Sequence, residues 1–512
     1  MKEGNLRFNF TDKEISQIQN HGLSSEEVIN QLLLLNSSPK SPDLLKAATI
    51  DDGIIKFDES QENKYIKIFS DNESKYEFVK FVPASGAATR MFKSINIILK
   101  NHSKLSLSDL KNLASENINY SNVLTVITQF KRFPFSNLID EEFYGEIEKD
   151  VIPFFKKILS DNGLSFSDFP KGLIPFHREG SSVFTPFEEH IRESAELFSV
   201  NNRVHFTVSE KHEDKFRQKL NQFSSDYPEV LNKVEYSYQE KRTDTVAIDN
   251  TGNIAKDENG NIIFRPGGHG ALINNLNLIN ADFIYITNID NIAHSKIRAN
   301  ILKYKKALSG LTIALREKIF AFLRILENKK ISFDEISEIE KYCKQYFFLT
   351  APNNLTVENK RRFFFDKLNR PLRVCGMVLN EGEPGGGPFW IKESDGTSSL
   401  QIIEKSQIDT TDHEQGKILQ TSTHFNPVDM VCSIKNYTGG KFDLSQYVNK
   451  QAVIITEKVV NGKEVKILEL PGLWNGAMYN WLTVFVEVPT ATFNPVKEVT
   501  DLLKDSHQHL ID

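Results

Sequence analysis

The stretch Tyr76–Lys100, YEFVKFVPASGAATRMFKSINIILK, decides the fold. Its opening YEFVKFV is rich in aromatic and β-branched residues, the pattern of a strand with little exposed face. Pro83 ends the run, and Ser85, Gly86, Ala87 and Ala88 strip the turn of bulk. The apolar spacing then changes to three and four through Met91, Ile95 and Ile98, which predicts a helix. Strand, small-residue turn and helix make the first part of a β-α-β unit. Arg90 stands in the first turn of that predicted helix, where a cation opposes the macrodipole by about 0.3–1 kcal/mol. A bound anion removes the conflict, and amides at such a turn can reach phosphate oxygens.

The same order recurs along the chain. VHFTVSE at 204–210 reads as a strand, HEDKFRQKLNQF at 212–223 as a helix, and VEYSYQE at 234–240 as a further strand. The strongest strand is ADFIYITNID at 281–290, apolar over most of its length and ending on Asp290. Strands alternating with helices predict an α/β fold with a mostly parallel central sheet, whose ligands gather at the carboxyl ends of its strands. Residues 1–70 read as a helical N-terminal extension, with Thr11 and Ser24 or Ser25 as caps. Residues 71–440 form the core, with helical insertions at about 95–165 and 305–370, and residues 441–512 form a mixed α+β part completing the active site. The apolar stretch Leu470–Pro489, broken by Asn475, Asn480 and Glu487, reads as core.

Across 512 residues, 62 basic and 68 acidic side chains leave a net charge of −6, with no broad attraction for nucleic acid or anionic lipid. Any phosphate chemistry must use local cations. Cys343, Cys375 and Cys432 have no metal-type spacing and cannot form a disulfide framework, which fits a reducing cytoplasm. No run of about 18 apolar residues suggests a membrane span.

Four further segments carry chemistry. Pro170-Lys171 presents a point charge on an extended approach. FRPGGHGALINNL at 264–276 places glycines around His269 ahead of a helix, a second amide-rich end that admits a planar ligand. Asp290 at a strand end suits magnesium, which takes one or two protein carboxylates and completes its shell with phosphate oxygens. Neither a Walker loop nor a nucleophile motif accompanies them.

This set resembles the UDP-sugar pyrophosphorylase group of sugar-phosphate nucleotidyltransferases. SGAATRM resembles its Gly-rich loop, Pro170-Lys171 its PK segment, and Pro266–Gly270 its PxGHG segment. Asp290-Asn291 resembles its strand-end aspartate, and TFNPVKEVTDLL at 492–503 its FLPVK and DLL segments. SYQEK at 237–241 and IIEKSQI at 402–408 are weaker matches. The resemblance implies a GT-A-like, Rossmann-type fold and formation of a nucleotide sugar and pyrophosphate from UTP and a sugar 1-phosphate, with Mg2+. It implies Arg90, Lys171 and Lys497 as catalytic residues and Asp290 as the metal ligand. Ser85, Gly86, Ala87, Ala88, Thr89, Gln239, Gly268 and His269 would bind the nucleotide, and Glu404 the sugar side. Ala88 replaces the group's second loop glycine, and about 80 residues separate Arg90 from Lys171, more than is usual in the group. These departures leave a catalytically silent nucleotide or nucleotide-sugar binding protein as the alternative; a scaffold whose glycine loops are only turns is the blander one.

Overall fold

The computed structural model describes residues 9–37, 41–139, 146–199, 202–383, 385–393, 396–460 and 462–508. Two compact units divide the chain discontinuously. The first comprises residues 1–69, 238–284 and 308–488, and the second residues 70–237, 285–307 and 489–512. The chain passes between the units within the strand Phe283–Thr287 and within the helix Ser295–Leu326.

In the first unit, strands Thr49–Ile50, Gly53–Ile55, Leu482–Glu487, Leu372–Met377 and Asp429–Ser433 lie side by side. All are parallel except the last, which runs against Leu372–Met377. Leu372–Met377 is buried throughout, as a strand covered on both faces must be. Two antiparallel sheets complete the unit: Leu44–Ala47 with Gly387–Lys392 and Ser398–Ile403, and a four-stranded sheet built around Thr245–Ile248 and Lys463–Glu469. Capping boxes start the N-terminal helices at Thr11 and Ser24. The expected all-helical extension also contains the strands Leu44–Ala47, Thr49–Ile50 and Gly53–Ile55, too short to show a period in sequence. The sequence DNTGNIAKDENGN forms two successive tight hairpins. Asp249 and Asp257 each accept backbone N–H groups two and four residues on, a small local repeat that the sequence reading passed over.

In the second unit, Phe78–Pro83 pairs in parallel with Asn202–Val208, and Val234–Tyr238 follows. The helices Lys93–Asn101, Leu107–Ala114, Ile118–Thr128 and Ile152–Leu159 occupy the expected insertion, of which residues 140–145 lie outside the described residues. Their apolar faces form a phenylalanine-rich core that includes Phe92, Phe130, Phe154 and Phe166. Val496, Val499 and Leu502 pack into the same core. Burial of each such aliphatic side chain contributes about 1.5–3 kcal/mol, enough to fix the segment that carries Lys497.

Beneath this sheet runs a buried ionic stack. Lys80, in the middle of the strand Phe78–Pro83, donates to Glu193 Oε1 at 2.6 Å and to the His190 carbonyl at 3.1 Å. Lys305 donates to the same Glu193 oxygen at 2.8 Å. Glu193 and His190 lie on the helix Pro186–Leu197, capped by Thr185 in a capping box. Burial by itself would raise the Glu193 carboxyl, but Lys305 and Lys80 hold it far below the usual range. The two lysine partners lie more than 100 residues from Glu193 in sequence, so no local pattern announces the stack.

Candidate active site

The site assembles at the carboxyl end of Phe78–Pro83. After that strand, Gly86 O accepts the Lys171 amide at 3.1 Å and the Ala88 amide reaches Phe169 O at 3.3 Å, so the loop and the Pro170-Lys171 segment run as a short antiparallel bridge. A Cβ added to Gly86 would meet nothing within 4 Å. Open space, rather than a protein neighbour, lies over this glycine. The amides of Ser85, Gly86 and Ala87 donate to no described residue, leaving them free for an anion.

Two expectations change here. The helix starts at Lys93, and Arg90 lies on a preceding 3₁₀ turn, Ala88–Arg90, because Phe169 takes the Ala88 amide and tightens the chain first. Arg90 is therefore not in a first α-helical turn; it is exposed and pairs with no described residue. Ala88 is buried, and its amide is unavailable to a ligand.

Lys171, Asp290 and Lys497 meet. Lys171 Nζ donates to Asp290 Oδ2 at 3.0 Å and to Val496 O at 2.8 Å, and Lys497 Nζ donates to the same Oδ2 at 3.1 Å. The Lys171 side chain retains 12% of its exposure and Asp290 10%, whereas Lys497 retains 61%. Burial by itself would raise the Asp290 carboxyl; Lys497 and Lys171 overcome that and keep it below its ordinary value. Asp290 lies three residues beyond the strand, which ends at Thr287. It is held there by its backbone: its carbonyl accepts the Val496 amide at 3.2 Å, Asn291 bridges Pro495, and Asn291 Oδ1 accepts the Asn494 amide at 2.7 Å. One residue earlier, Ile289 O is within 3.2 Å of His190 Nε2. Asn291 and Asn494 lie in segments quoted from the sequence but were given no role there, and His190 was not singled out, since no local pattern marks it.

The segment carrying Lys497 is anchored further on. His507 Nδ1 lies 3.0 Å from His177 Nε2, and His177 Nδ1 lies 2.7 Å from Glu189 Oε1. Burial, and then the neighbouring His177, pushes His507 down to about 3. The unfolded chain takes up this proton near pH 6.5 and the folded chain does not, so stability falls as pH drops through the window between those values. Between pH 7 and pH 5 the loss from this group is about 2 kcal/mol. Urea midpoints at the two pH values, compared with those of His507→Gln, are expected to show a smaller pH dependence in the variant; equal dependence would remove His507 as the cause.

The other predicted residues lie in the first unit. His269 Nδ1 accepts the Leu473 amide at 3.1 Å, and its ring stacks on Trp474 with centroids 4.9 Å apart. Burial depresses its basicity, with Glu469 opposing, so it is neutral and carries its proton on Nε2. Glu404 Oε1 accepts Asn426 Nδ2 at 3.0 Å, and the Trp474 indole lies beside the carboxylate without closing a good hydrogen bond. Burial raises this carboxyl, with Asn426 and then Trp474 opposing. His269 and Glu404 thus share Trp474 as a neighbour. Trp474 and Asn475 belong to the stretch read as core, and Asn475 is indeed 2% exposed, yet its Oδ1, Asn426 Oδ1 and Gln239 Nε2 are buried without a partner among the described residues. Gly268 adopts φ +76°, but Gly267 and Gly270 face Thr243 O and Pro471 O, where a Cβ would sit at 2.3 Å. Close packing, not ligand approach, requires these two glycines.

The described residues contain no group of three or more His, Cys, Asp or Glu side chains able to hold a metal. Asp290 nonetheless suits a magnesium ion whose remaining ligands are phosphate oxygens, since both lysines use Oδ2 and Oδ1 accepts from no described residue. Among the described residues, no helix is long and apolar enough to cross a membrane.

The fold is therefore mixed α/β with a mostly parallel sheet, and its candidate site is a loop with three undonated amides beside a lysine–aspartate–lysine cluster. The chain belongs to the family described as "Domain of unknown function (DUF4301)", whose sequence profile matches residues 11–508. No curated protein matches it. Among solved structures, a variant of UDP-glucose pyrophosphorylase from Leishmania major is 12% identical with a TM-score of 0.47, covering 98% of this chain and 83% of its own. Another variant of that enzyme, in complex with UDP-glucose, is 11% identical with a TM-score of 0.45 and the same coverage. The uridine diphosphate N-acetylglucosamine pyrophosphorylase from Trypanosoma brucei, in complex with an inhibitor, is 12% identical with a TM-score of 0.46, covering 96% of this chain and 79% of its own.

Proposed function

We propose that this protein is a nucleotidyltransferase that forms a nucleotide sugar and pyrophosphate from a nucleoside triphosphate, UTP, and a sugar 1-phosphate. The observation that carries the reading is the convergence of Lys171 and Lys497 on one oxygen of Asp290 beside a loop with three undonated amides. Two ammonium groups, one carboxylate and free amides suit phosphate chemistry with a divalent ion better than acyl or hydride transfer.

A sugar-phosphate oxygen attacks the α-phosphorus, the bond to the bridging oxygen of the β-phosphate breaks, and pyrophosphate leaves with the electron pair. The nucleophile is already an anion, so no general base is needed, and catalysis consists of positioning and charge neutralisation. Lys171 is assigned to the α-phosphate, Lys497 to the sugar phosphate, and Arg90 with residues 85–89 to the triphosphate; within that loop the Ala88 amide takes no part. Gln239, Gly268 and His269 are assigned to the nucleoside and Glu404 to the sugar; the unpartnered buried Nε2 of Gln239 supports a ligand acceptor at that position. Magnesium held by Asp290 would supply charge neutralisation on the triphosphate.

The testing experiment is pyrophosphate release by the purified protein with Mg2+, over a grid of common nucleoside triphosphates and sugar 1-phosphates. Release requiring one specific pair is expected. The buried, engaged Ala88 amide favours one other reading, a silent nucleotide-binding protein. Silence across the grid, with UTP still raising the melting temperature, would replace the first reading by the second.

A further inference from the structure

Within the first unit, a cavity of about 840 Å³ opens between the end of the helix Phe333–Phe347, the helix Val357–Leu368 and the strands Gly387–Lys392 and Ser398–Ile403. Neither Glu404 nor Gln239, Gly268 or His269 lines it, so the reaction proposed above leaves it without a role. Its size is in the range of small-molecule sites.

The charge of its walls is one-sided. Among its described lining residues, Lys367, Arg370 and Lys392 face one carboxylate, that of Glu393, in a protein whose net charge is −6. Glu393 is already engaged, accepting Tyr479 OH at 3.0 Å and the Ser399 hydroxyl. Lys367 and Lys392 form no ion pair among the described residues, and the Lys367 ammonium lies 5.7 Å from the centroid of the Phe363 ring.

The remaining surface is aromatic and hydroxylic. Phe348, Trp390, Tyr479 and Trp481 contribute rings, and Thr397, Ser398 and Ser399 contribute hydroxyls. Phe348 adopts φ 51°, a left-handed conformation rarely taken by a bulky side chain, and packs edge-on against Trp390 with centroids 5.9 Å apart. Gln401 and Trp481 are 3% and 5% exposed, yet Gln401 Oε1 and Trp481 Nε1 have no partner among the described residues. The Gln401 amide orientation is set by its Nε2, which donates to Tyr479 O at 2.9 Å, so the unpartnered atom is an acceptor.

We propose that this cavity is a second ligand site, for a nucleoside monophosphate. The rings suit a base, the hydroxyls a ribose, and the three cations Lys367, Arg370 and Lys392 a phosphate. A lipid would require a continuous apolar channel, which the charged and hydroxylic wall does not provide.

The test is calorimetric titration of the full-length protein with AMP, GMP, CMP and UMP, each to about 5 mM, for which a Kd near 1 mM corresponds to −4.1 kcal/mol. Wild type, Lys171→Ala and the double variant Lys367→Glu/Lys392→Glu are compared, with Lys367→Gln/Lys392→Gln replacing the last if its melting temperature falls. At least one nucleotide is expected to bind wild type and Lys171→Ala equally. Its binding is expected to weaken about tenfold in the charge-reversed protein, or about threefold in the glutamine variant. Binding lost with Lys171→Ala but kept in the lysine variants would locate the ligand at the phosphate loop and overturn the proposal. So would unchanged binding in all variants, or no binding of any of the four. Pyrophosphate release by the lysine variants, measured in parallel, tests the reaction independently of this site.

Discussion

Lys171→Ala is expected to lower the rate of pyrophosphate release by about 10² to 10³, or about 2.7–4 kcal/mol, the loss typical of one preorganised donor to a developing anion. The geometry makes the effect specific. Lys171 Nζ is fixed from two sides, by Asp290 Oδ2 and Val496 O, and its backbone is tied to Gly86. Its charge is therefore in place before substrate arrives, and no reorganisation accompanies the reaction. Lys171→Arg keeps the charge but not the compact ammonium geometry, so it is expected to recover only part of the rate. The loss should fall on kcat more than on KM, because the contact is assigned to the transition state. Steady-state kinetics on the substrate pair found in the grid measure both; a near-normal kcat would exclude Lys171 from the chemistry.

Glu193→Ala is expected to destabilise the protein by about 3–5 kcal/mol, the range for breaking a buried ion pair from one side. Lys80 and Lys305 are 0% and 2% exposed, and both direct their ammonium groups at this one carboxylate. Its removal takes from both buried ammonium groups the one carboxylate oxygen they share. Glu193→Gln retains an acceptor of the same size but not the charge, so it should recover a fraction of the loss. Urea denaturation followed by circular dichroism measures the difference. A change under about 1 kcal/mol would show that both lysines reach water or another anion at little cost.

Local motifs made part of the site legible. Lys171 and Asp290 each sit in a short segment bounded by Pro, Gly or a strand end, and their chemistry could be argued without a partner in view, whereas Lys497 was reached only through a family resemblance of its segment; the structure brings these three together. Arg90 was misjudged locally: the helix period was read back to Thr89, but the Ala88 amide goes to Phe169, a competitor that no local pattern reveals. The glycines around His269 were read as space for a ligand, whereas two of them face main-chain atoms of Thr243 and Pro471 that only the tertiary structure supplies. The strands between 44 and 55 were missed because two to four residues are too few to show alternation. Lys80, Glu193 and His190 escaped attention because pairing in the interior is a property of distance in space.

The lysine–aspartate–lysine cluster also fixes when the protein can begin to work. Lys171 and its acceptor Val496 are separated by 325 residues. At roughly 5–20 residues per second of synthesis, the growing polypeptide spends about 15–65 s with one ammonium group made and the other absent. No nascent form that stops short of Lys497 contains the complete charge cluster, and a nonsense codon shortly before position 490 would spare every strand of the main sheet and still remove Lys497. Activity, on this arrangement, reports that translation has passed Lys497.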